Sequence, residues 1–337
     1  MKLKCLFATL IGRGQAVAPT FIFTIMSFEN IEWIWRNGTI IPWASATVHV
    51  SAHGLHYGSG VFEGIRCYET ESGPALFRVR EHYDRFHESA KVYGFSIPYS
   101  VEELTEATCE LINRNEFKSC YVRPICFMGS GSLGVFPRNC SSEVSIMAWA
   151  WGAYLGAEGL EKGIRVTVSP WRKFHSSMMP TTAKACGQYL NSILAVSDAF
   201  GRGFDEALLL DIDGKLAEGS GENLFVIKDG VIYTNKADDS ILMGITRSAA
   251  IEIARSEGFT VEAKSLELDD LLTADEAFFT GTAAEITPIR EVDATVIGAG
   301  RRGRVTEKIQ TVFFDATGGR DARFAKWLTP VEEFAVA

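Results

Sequence analysis

The chain has 337 residues, 47% of them hydrophobic and 11% aromatic, enough to build a large core over two domains of ordinary size. Its formal net charge is −9 and it has no concentrated basic block. That argues against a nucleic-acid partner, whose phosphates must be neutralised, and leaves small-molecule chemistry as the expectation.

Seven cysteines are scattered along the chain with no C-x-x-C spacing. They read as reduced cytoplasmic thiols, not as a disulfide framework or a zinc site. The opening stretch "MKLKCLFATLIGRG" reads either as a short secretory signal or as an extension over residues 1–26, ahead of a folded chain that starts near Met26. The cysteine pattern favours the extension. No later window is long and apolar enough to span a bilayer, so no membrane partner is expected.

The stretch "IEWIWRNGTIIPW" (residues 31–43) alternates apolar residues around Asn37-Gly38, the dipeptide of a type I′ hairpin. Residues 80–95 predict a helix ended by Gly94. Residues 100–115 predict another, with Ser100 as N-cap and Glu103 completing a capping box. "CYVRPICFMG" and "EVSIMAWAW" follow as strands, so residues 27–150 form a small α+β domain. The Gly- and Ala-rich "WGAYLGAEGLEKG" (residues 151–163) reads as a connector, and residues 164–337 as a larger domain. There, residues 206–234 predict an antiparallel meander with turns at Asp213-Gly214 and Asp229-Gly230. Residues 246–259 predict an amphipathic helix ended near Gly258.

Three tempting motifs fail on context. "GSGSLG" and "GAGRRG" match G-x-G-x-x-G. The first is followed by Pro137 instead of a helix, and the second lies too near the C-terminus to start a doubly wound sheet. His49, His53 and His56 have metal-like spacing. However, Gly54, Gly58, Val48 and Val50 argue for strand and loop where a helix is required, so hydrogen-bonded structural histidines are expected and no metal. Ser220 in "GSGENLF" lacks the setting of a nucleophile elbow.

What remains centres on "PTTAKACGQYLNS" (residues 180–192), where Lys184 is the single charge among small residues. Its setting reads as an exposed loop or as a desolvated pocket. In a pocket the lysine pKa falls and the free amine becomes available for a Schiff base. In "MGITRSAAIEIA", Ile245 and Thr246 open a helix whose N-terminus attracts anions, with Thr246 alternatively a plain N-cap. "GTAAEITP" adds a second small-residue loop with a hydroxyl, and Arg85 a guanidinium. Glu218 and Glu222 lie among glycines. Each is either a surface turn charge or a carboxylate beside a pyridine nitrogen, where it strengthens an electron sink.

Taken together, "LHYGSGVFEGIRCYE", "YVRPICF", "WGAYLGAEGLEKG", "PTTAKACGQYLNS", "AEGSGENLFVIKDGV", "GITR" and "GTAAEITP" resemble, in order, the branched-chain amino acid aminotransferases. These belong to the fold-type IV pyridoxal-phosphate enzymes. The resemblance implies a mixed α+β and α/β fold: a small α+β domain and a larger domain with a barrel-like, antiparallel-rich sheet. It implies pyridoxal 5'-phosphate as cofactor, held as an internal aldimine on Lys184. Glu218 would pair with the pyridine nitrogen and Tyr189 with the phenolic oxygen. Arg85, Ile245, Thr246 and Thr282 would hold the phosphate. Tyr121, Thr282 and Ala283 would hold the substrate carboxylate with Arg123 in support. Phe62, Trp151 and Tyr154 would form the side-chain pocket and lid, with Tyr57, Leu133 and Val135 crossing from a partner subunit of a homodimer or an assembly of dimers. The implied reaction is ping-pong transfer of the amino group of leucine, isoleucine or valine to 2-oxoglutarate, giving glutamate. Cys186 and Leu133 depart from common family residues. Cys186, two positions from Lys184, raises the prospect of oxidation sensitivity.

Overall fold

A computed structural model of the protein describes residue 28, residues 31–151 and residues 156–332. The proposed N-terminal extension and Tyr154 lie outside the described residues. The predicted hairpin forms from β1 (Trp33–Arg36) and β2 (Thr39–Pro42). Asn37 (φ 47°) and Gly38 (φ 90°) both take the left-handed backbone that a type I′ turn requires. Next come α1 (His53–Tyr57), β3 (Gly60–Phe62), β4 (Ile65–Thr70), β5 (Gly73–Phe77), α2 (Val79–Val92), α3 (Val101–Arg114), β6 (Cys120–Met128) and β7 (Ser142–Trp149).

Helix α3 starts where the sequence predicts. Glu103 N–H donates to Ser100 Oγ at 3.1 Å, and Ser100 N–H donates to the Glu103 carboxylate at 2.7 Å. Losing such a cap costs about 1 kcal/mol. Helices α2 and α3 bury Phe86, Leu104 and Leu111 in one core with strand residues Val61, Val122 and Ile146. Each such side chain contributes roughly 1.5–3 kcal/mol.

The second half holds α4 (Gly156–Lys162), β8 (Ile164–Val168), α5 (Tyr189–Gly201), β9 (Glu206–Leu210), β10 (Leu216–Gly219), β11 (Asn223–Lys228), β12 (Val231–Thr234), α6 (Ile245–Ser256), β13 (Thr260–Ala263), α7 (Leu268–Leu272), β14 (Glu276–Gly281), β15 (Glu285–Val292), β16 (Thr295–Val296), α8 (Arg304–Thr317) and β17 (Leu328–Pro330). The strands make two sheets. The first runs β17-β5-β4-β6-β7-β1-β2 with β3 on β6, and all its pairings are antiparallel. Its edge strand β17 comes from the far end of the chain. The second runs β10-β9-β8-β15-β14-β11-β12-β13 with β16 on β15. It is mixed, with β8 parallel to both β9 and β15, and β12 parallel to β13.

Four expectations change. The meander is two hairpins, β9–β10 and β11–β12, with β11 pairing β14 on its other side. Strand β10 ends one edge of the sheet, yet Gly219 N–H donates to Glu222 O at 2.8 Å just before β11. The second sheet therefore curls back on itself. The connector contains helix α4, because its glycines flank Ala, Leu, Glu and Lys, all good helix formers. His53 and His56 lie on a short helix, α1, but their rings are hydrogen-bonded to protein. His53 contacts Ser59 Oγ at 2.6 Å and Gly134 O at 2.9 Å, and His56 contacts Val50 O at 2.8 Å. Helix α6 starts one turn position earlier than expected, with Gly244 as N-cap. A side chain at Gly244 would meet Asn223 Oδ1 at 2.1 Å, so only glycine fits there.

Candidate active site

Lys184 lies on the segment that leads from β8 to α5, clamped by backbone bonds to elements of the first sheet. Its carbonyl accepts Phe62 N–H at 3.1 Å, and its own N–H donates to Ser89 Oγ on α2 at 3.0 Å. Ala185 bridges Val61 of β3. Two glycines bring these backbones together: a Cβ on Gly58 would lie 2.7 Å from Gly187 Cα. The lysine is thus fixed at the junction of the two halves of the chain, at the wall of an open cleft of ≈ 630 Å³.

Lys184 Nζ donates to Tyr189 OH at 2.6 Å and sits 4.9 Å from the Phe62 ring centroid. Desolvation lowers its pKa to about 8, against the raising charge of Glu63. Burial raises the Tyr189 phenol, which stays protonated and able to donate. The lysine is therefore in a pocket, not on an exposed loop.

Arg85, Tyr189, Glu218, Ile245, Thr246 and Thr282 all line this cleft with Lys184. Ile245 and Thr246 occupy the first turn of the twelve-residue α6, whose leading N–H groups have no intrahelical acceptor. Both are buried, and Thr246 is inside the first turn, not its cap. Glu218 is the third residue of β10, buried to 6% exposure. Lys173 Nζ pairs with one of its oxygens at 2.5 Å. The other accepts Leu242 N–H at 3.0 Å and Asn223 Nδ2 at 3.2 Å. Glu222 also lines the cleft, but burial raises its pKa well above the ordinary range and Glu206 adds to the rise. Among the described residues Glu218 is paired with a lysine while Glu222 is not, so the glycine-rich turn that suggested two equivalent glutamates holds two different groups.

The substrate-facing residues divide. Phe62 packs edge-on to Tyr189, with ring centroids 4.7 Å apart, and lies under the Arg123 guanidinium at 4.8 Å. Arg123 Nη2 reaches Tyr121 OH at 3.3 Å. Tyr121 stacks on Trp151 at 4.7 Å, and Ala283 packs against the same cluster. The Tyr121 hydroxyl needs Gly64 beside it, since a Cβ there would lie 1.9 Å away. Tyr57, Leu133 and Val135 do not line the cleft of their own chain. They are 45%, 51% and 80% exposed, and Tyr57 OH donates to Leu133 O at 2.7 Å. The Cys186 thiol is pushed up to about 11 by burial, which leaves little of the reactive thiolate at neutral pH.

Sequence reasoning missed Glu63, His82, Lys173 and the cluster of Arg66, Tyr68 and Glu285. In the last, Tyr68 OH donates to Glu285 at 2.9 Å, tying β4 to the start of β15. Glu63 had a signal: a carboxylate between Phe62 and Gly64 in an apolar strand must be paired if buried. The partner was not legible.

The residues fit pyridoxal 5'-phosphate. The cleft offers a low-pKa amine, a phenol, a carboxylate paired with a lysine and an anion-attracting helix start with a guanidinium. Its wall carries the buried Thr280 Oγ1, which has no partner among the described residues.

The amino-transferase class IV family matches residues 60–292. The branched-chain-amino-acid aminotransferase of Pseudomonas aeruginosa is 48% identical over 299 residues, 89% of this chain and 97% of that protein. That of Escherichia coli K12 is 46% identical over 309 residues, 91% of this chain and all of the relative. Among solved structures, a crystal structure of the Escherichia coli enzyme superposes with a TM-score of 0.88 at 47% identity. It covers 89% of this chain and 99% of that one. The branched-chain amino acid aminotransferase from Thermobaculum terrenum, solved in its pyridoxal-phosphate-bound holo-form, superposes with a TM-score of 0.84 at 32% identity, over 90% of this chain and 99% of that one. The chain belongs to the class IV amino-transferase family and, within it, to the branched-chain amino acid aminotransferases. Its fold is accordingly the fold-type IV aminotransferase fold.

Proposed function

We propose that this cleft carries branched-chain amino acid transamination: Lys184 is the catalytic amine, and Arg85, Tyr189, Glu218, Ile245, Thr246 and Thr282 hold pyridoxal 5'-phosphate. The amino group of leucine, isoleucine or valine passes to 2-oxoglutarate in two half-reactions. When bound, the cofactor supplies the carbonyl that accepts an amine and the ring that stores the electron pair released at Cα.

Lys184 Nζ accepts the substrate α-proton and later returns one, acting as general base and then acid. Its lowered pKa of about 8 suits both tasks near neutral pH. The Tyr189 hydroxyl donates a hydrogen bond towards the phenolic oxygen. Glu218 would accept from the ring nitrogen, and Lys173 and Leu242 N–H hold its carboxylate in place. Arg85 and the start of α6 bind phosphate. Tyr121, Thr282 and Ala283 receive the substrate carboxylate, with Arg123 behind Tyr121. Phe62 and Trp151 give the apolar wall that suits an aliphatic side chain and keeps water out. A relative has been crystallised with 4-methylvaleric acid and with an N-(5'-phosphopyridoxyl)-L-glutamate adduct, which supports branched-chain and glutamate substrates sharing one site.

The exposed Tyr57, Leu133 and Val135 face a partner's cleft in a homodimer or an assembly of dimers. Apolar side chains this exposed on one loop cluster favour such a contact. Residues 27–150 and 164–337 are the two domains, joined through residues 151–163. No helix among the described residues is long and apolar enough to cross a membrane. No disulfide joins the six described cysteines, in keeping with a cytoplasmic enzyme.

The observation that carries this reading is the desolvated Lys184 amine in contact with Tyr189, in one cleft with Glu218 and the start of α6. Amino transfer to 2-oxoglutarate is expected from L-leucine, and not from D-alanine or an aromatic amine. A preference for either of the latter would overturn the substrate assignment.

A further inference from the structure

Glu63 is fully buried, lies outside the set that holds cofactor or substrate, and is gripped by two nitrogen-bearing side chains of α2. Arg85 Nε donates to Glu63 Oε1 at 2.7 Å and Arg85 Nη2 to Glu63 Oε2 at 2.9 Å, a bidentate fork. His82 Nδ1 contacts Oε2 at 2.8 Å, and Gly64 N–H donates to the same oxygen at 3.3 Å. Burial opposes the charge, but Arg85 and His82 outweigh it and hold the carboxyl well below the ordinary range. On its far side Arg85 Nη1 donates to Met243 O at 3.0 Å, one residue before the N-cap of α6.

An arginine has five N–H donors in a fixed plane. Three are spent on Glu63 and Met243, so two remain, on Nη1 and Nη2, and Arg85 lines the cleft. By charge alone Glu63 is a poor neighbour for a phosphate. Its geometry makes sense if it orients the arginine.

We infer that Glu63 is a positioning residue for cofactor phosphate: it fixes the Arg85 plane so that the two remaining donors meet the phosphate together with the start of α6. The inference rests on the reading of Arg85 as a phosphate ligand. Replacing Glu63 by glutamine keeps the shape but turns an N–H₂ towards an arginine or histidine donor, which breaks the fork. Hydrogen bonds to charged groups contribute about 1.5–3 kcal/mol, or roughly 10- to 100-fold in affinity.

The test measures binding of pyridoxal 5'-phosphate and of phosphate-free pyridoxal to the apoenzyme by fluorescence titration. Wild type should prefer the phosphorylated form strongly. Glu63→Gln should lose roughly 10- to 100-fold of that preference while binding pyridoxal as wild type does. In an Arg85→Met background the Glu63 substitution should change nothing further. That comparison also serves if the single variant fails to fold, because the double variant removes both buried charges. An unchanged or stronger preference in Glu63→Gln, or a further loss in the Arg85→Met background, overturns the inference. Equal wild-type affinity for the two ligands would instead overturn the phosphate site itself.

Discussion

Two groups of buried carboxylates lie close to one cleft and have opposite characters. Glu63 and Glu218 each meet a cation: Arg85 with its bidentate fork in the first case, Lys173 at 2.5 Å in the second. Among the described residues no cation pairs with Glu206 or Glu222. Burial raises Glu206 to about 7 and Glu222 well above the ordinary range, and one oxygen of Glu206 has no hydrogen-bond partner among the described residues. All four are nine-tenths or more buried, so burial does not decide which glutamates carry charge. The partners distinguish them: among the described residues Glu63 and Glu218 each hold a cation, whereas Glu206 and Glu222 do not, although Glu222 lines the same cleft.

The contrast can be broken from either side. The largest effect is expected from Arg85→Met, which leaves Glu63 with His82 alone. Breaking a buried pair costs about 3–5 kcal/mol, and chemical denaturation of the apoenzyme should show it; a loss well under about 1 kcal/mol would mean that Glu63 neutralises at no cost. Lys173→Met should lower kcat by about 10²-fold, the size expected when one charge-orienting contact is lost, with Lys173→Arg recovering most of it. An unchanged kcat in Lys173→Met would remove Lys173 from the account of Glu218.

Smaller effects follow from pH. The folded pKa of Glu206 is raised to about 7 from the ordinary 4.5. Its contribution is therefore complete below pH 4.5 and lost as pH rises through 7. By linkage the penalty reaches on the order of 3 kcal/mol at about pH 9. Glu206→Gln should flatten the decline in Tm between about pH 4.5 and about pH 8, and an identical pH profile would contradict the raised Glu206. His82 is shifted the other way, lowered by burial from 6.5, and Glu63 is lowered from 4.5. Both contribute above those values and lose their contribution as pH falls. The apoenzyme should therefore weaken first below about pH 6.5 and again below about pH 4.5. A flat acid limb would contradict it.

The same contrast explains what was legible in the sequence. Local rules gave the Asn37-Gly38 hairpin, the Ser100 capping box and the end of α2 near Gly94, because each depends on residues a few positions apart. Lys184 was legible as a lone charge among small residues, and the ordered motifs gave its role. What failed depended on distant partners. The apparent meander split because β11 pairs with β14, about fifty residues further on. Glu63 needs α2, Glu218 needs Lys173, and no local pattern separates Glu218 from Glu222 four residues later. The His53 helix was missed because flanking glycines and valines outweighed a single turn whose stability comes from ring contacts to Ser59 and Gly134.

The central claim is that Lys184 is the amine that holds the cofactor and moves the proton. Enzyme loaded with pyridoxal 5'-phosphate, reduced with borohydride and mapped by peptide mass spectrometry, should carry one pyridoxyl group, on Lys184. Lys184→Ala should carry none and lose at least about 10⁴-fold in kcat. A pyridoxyl group on another lysine, or full activity in Lys184→Ala, would contradict the account.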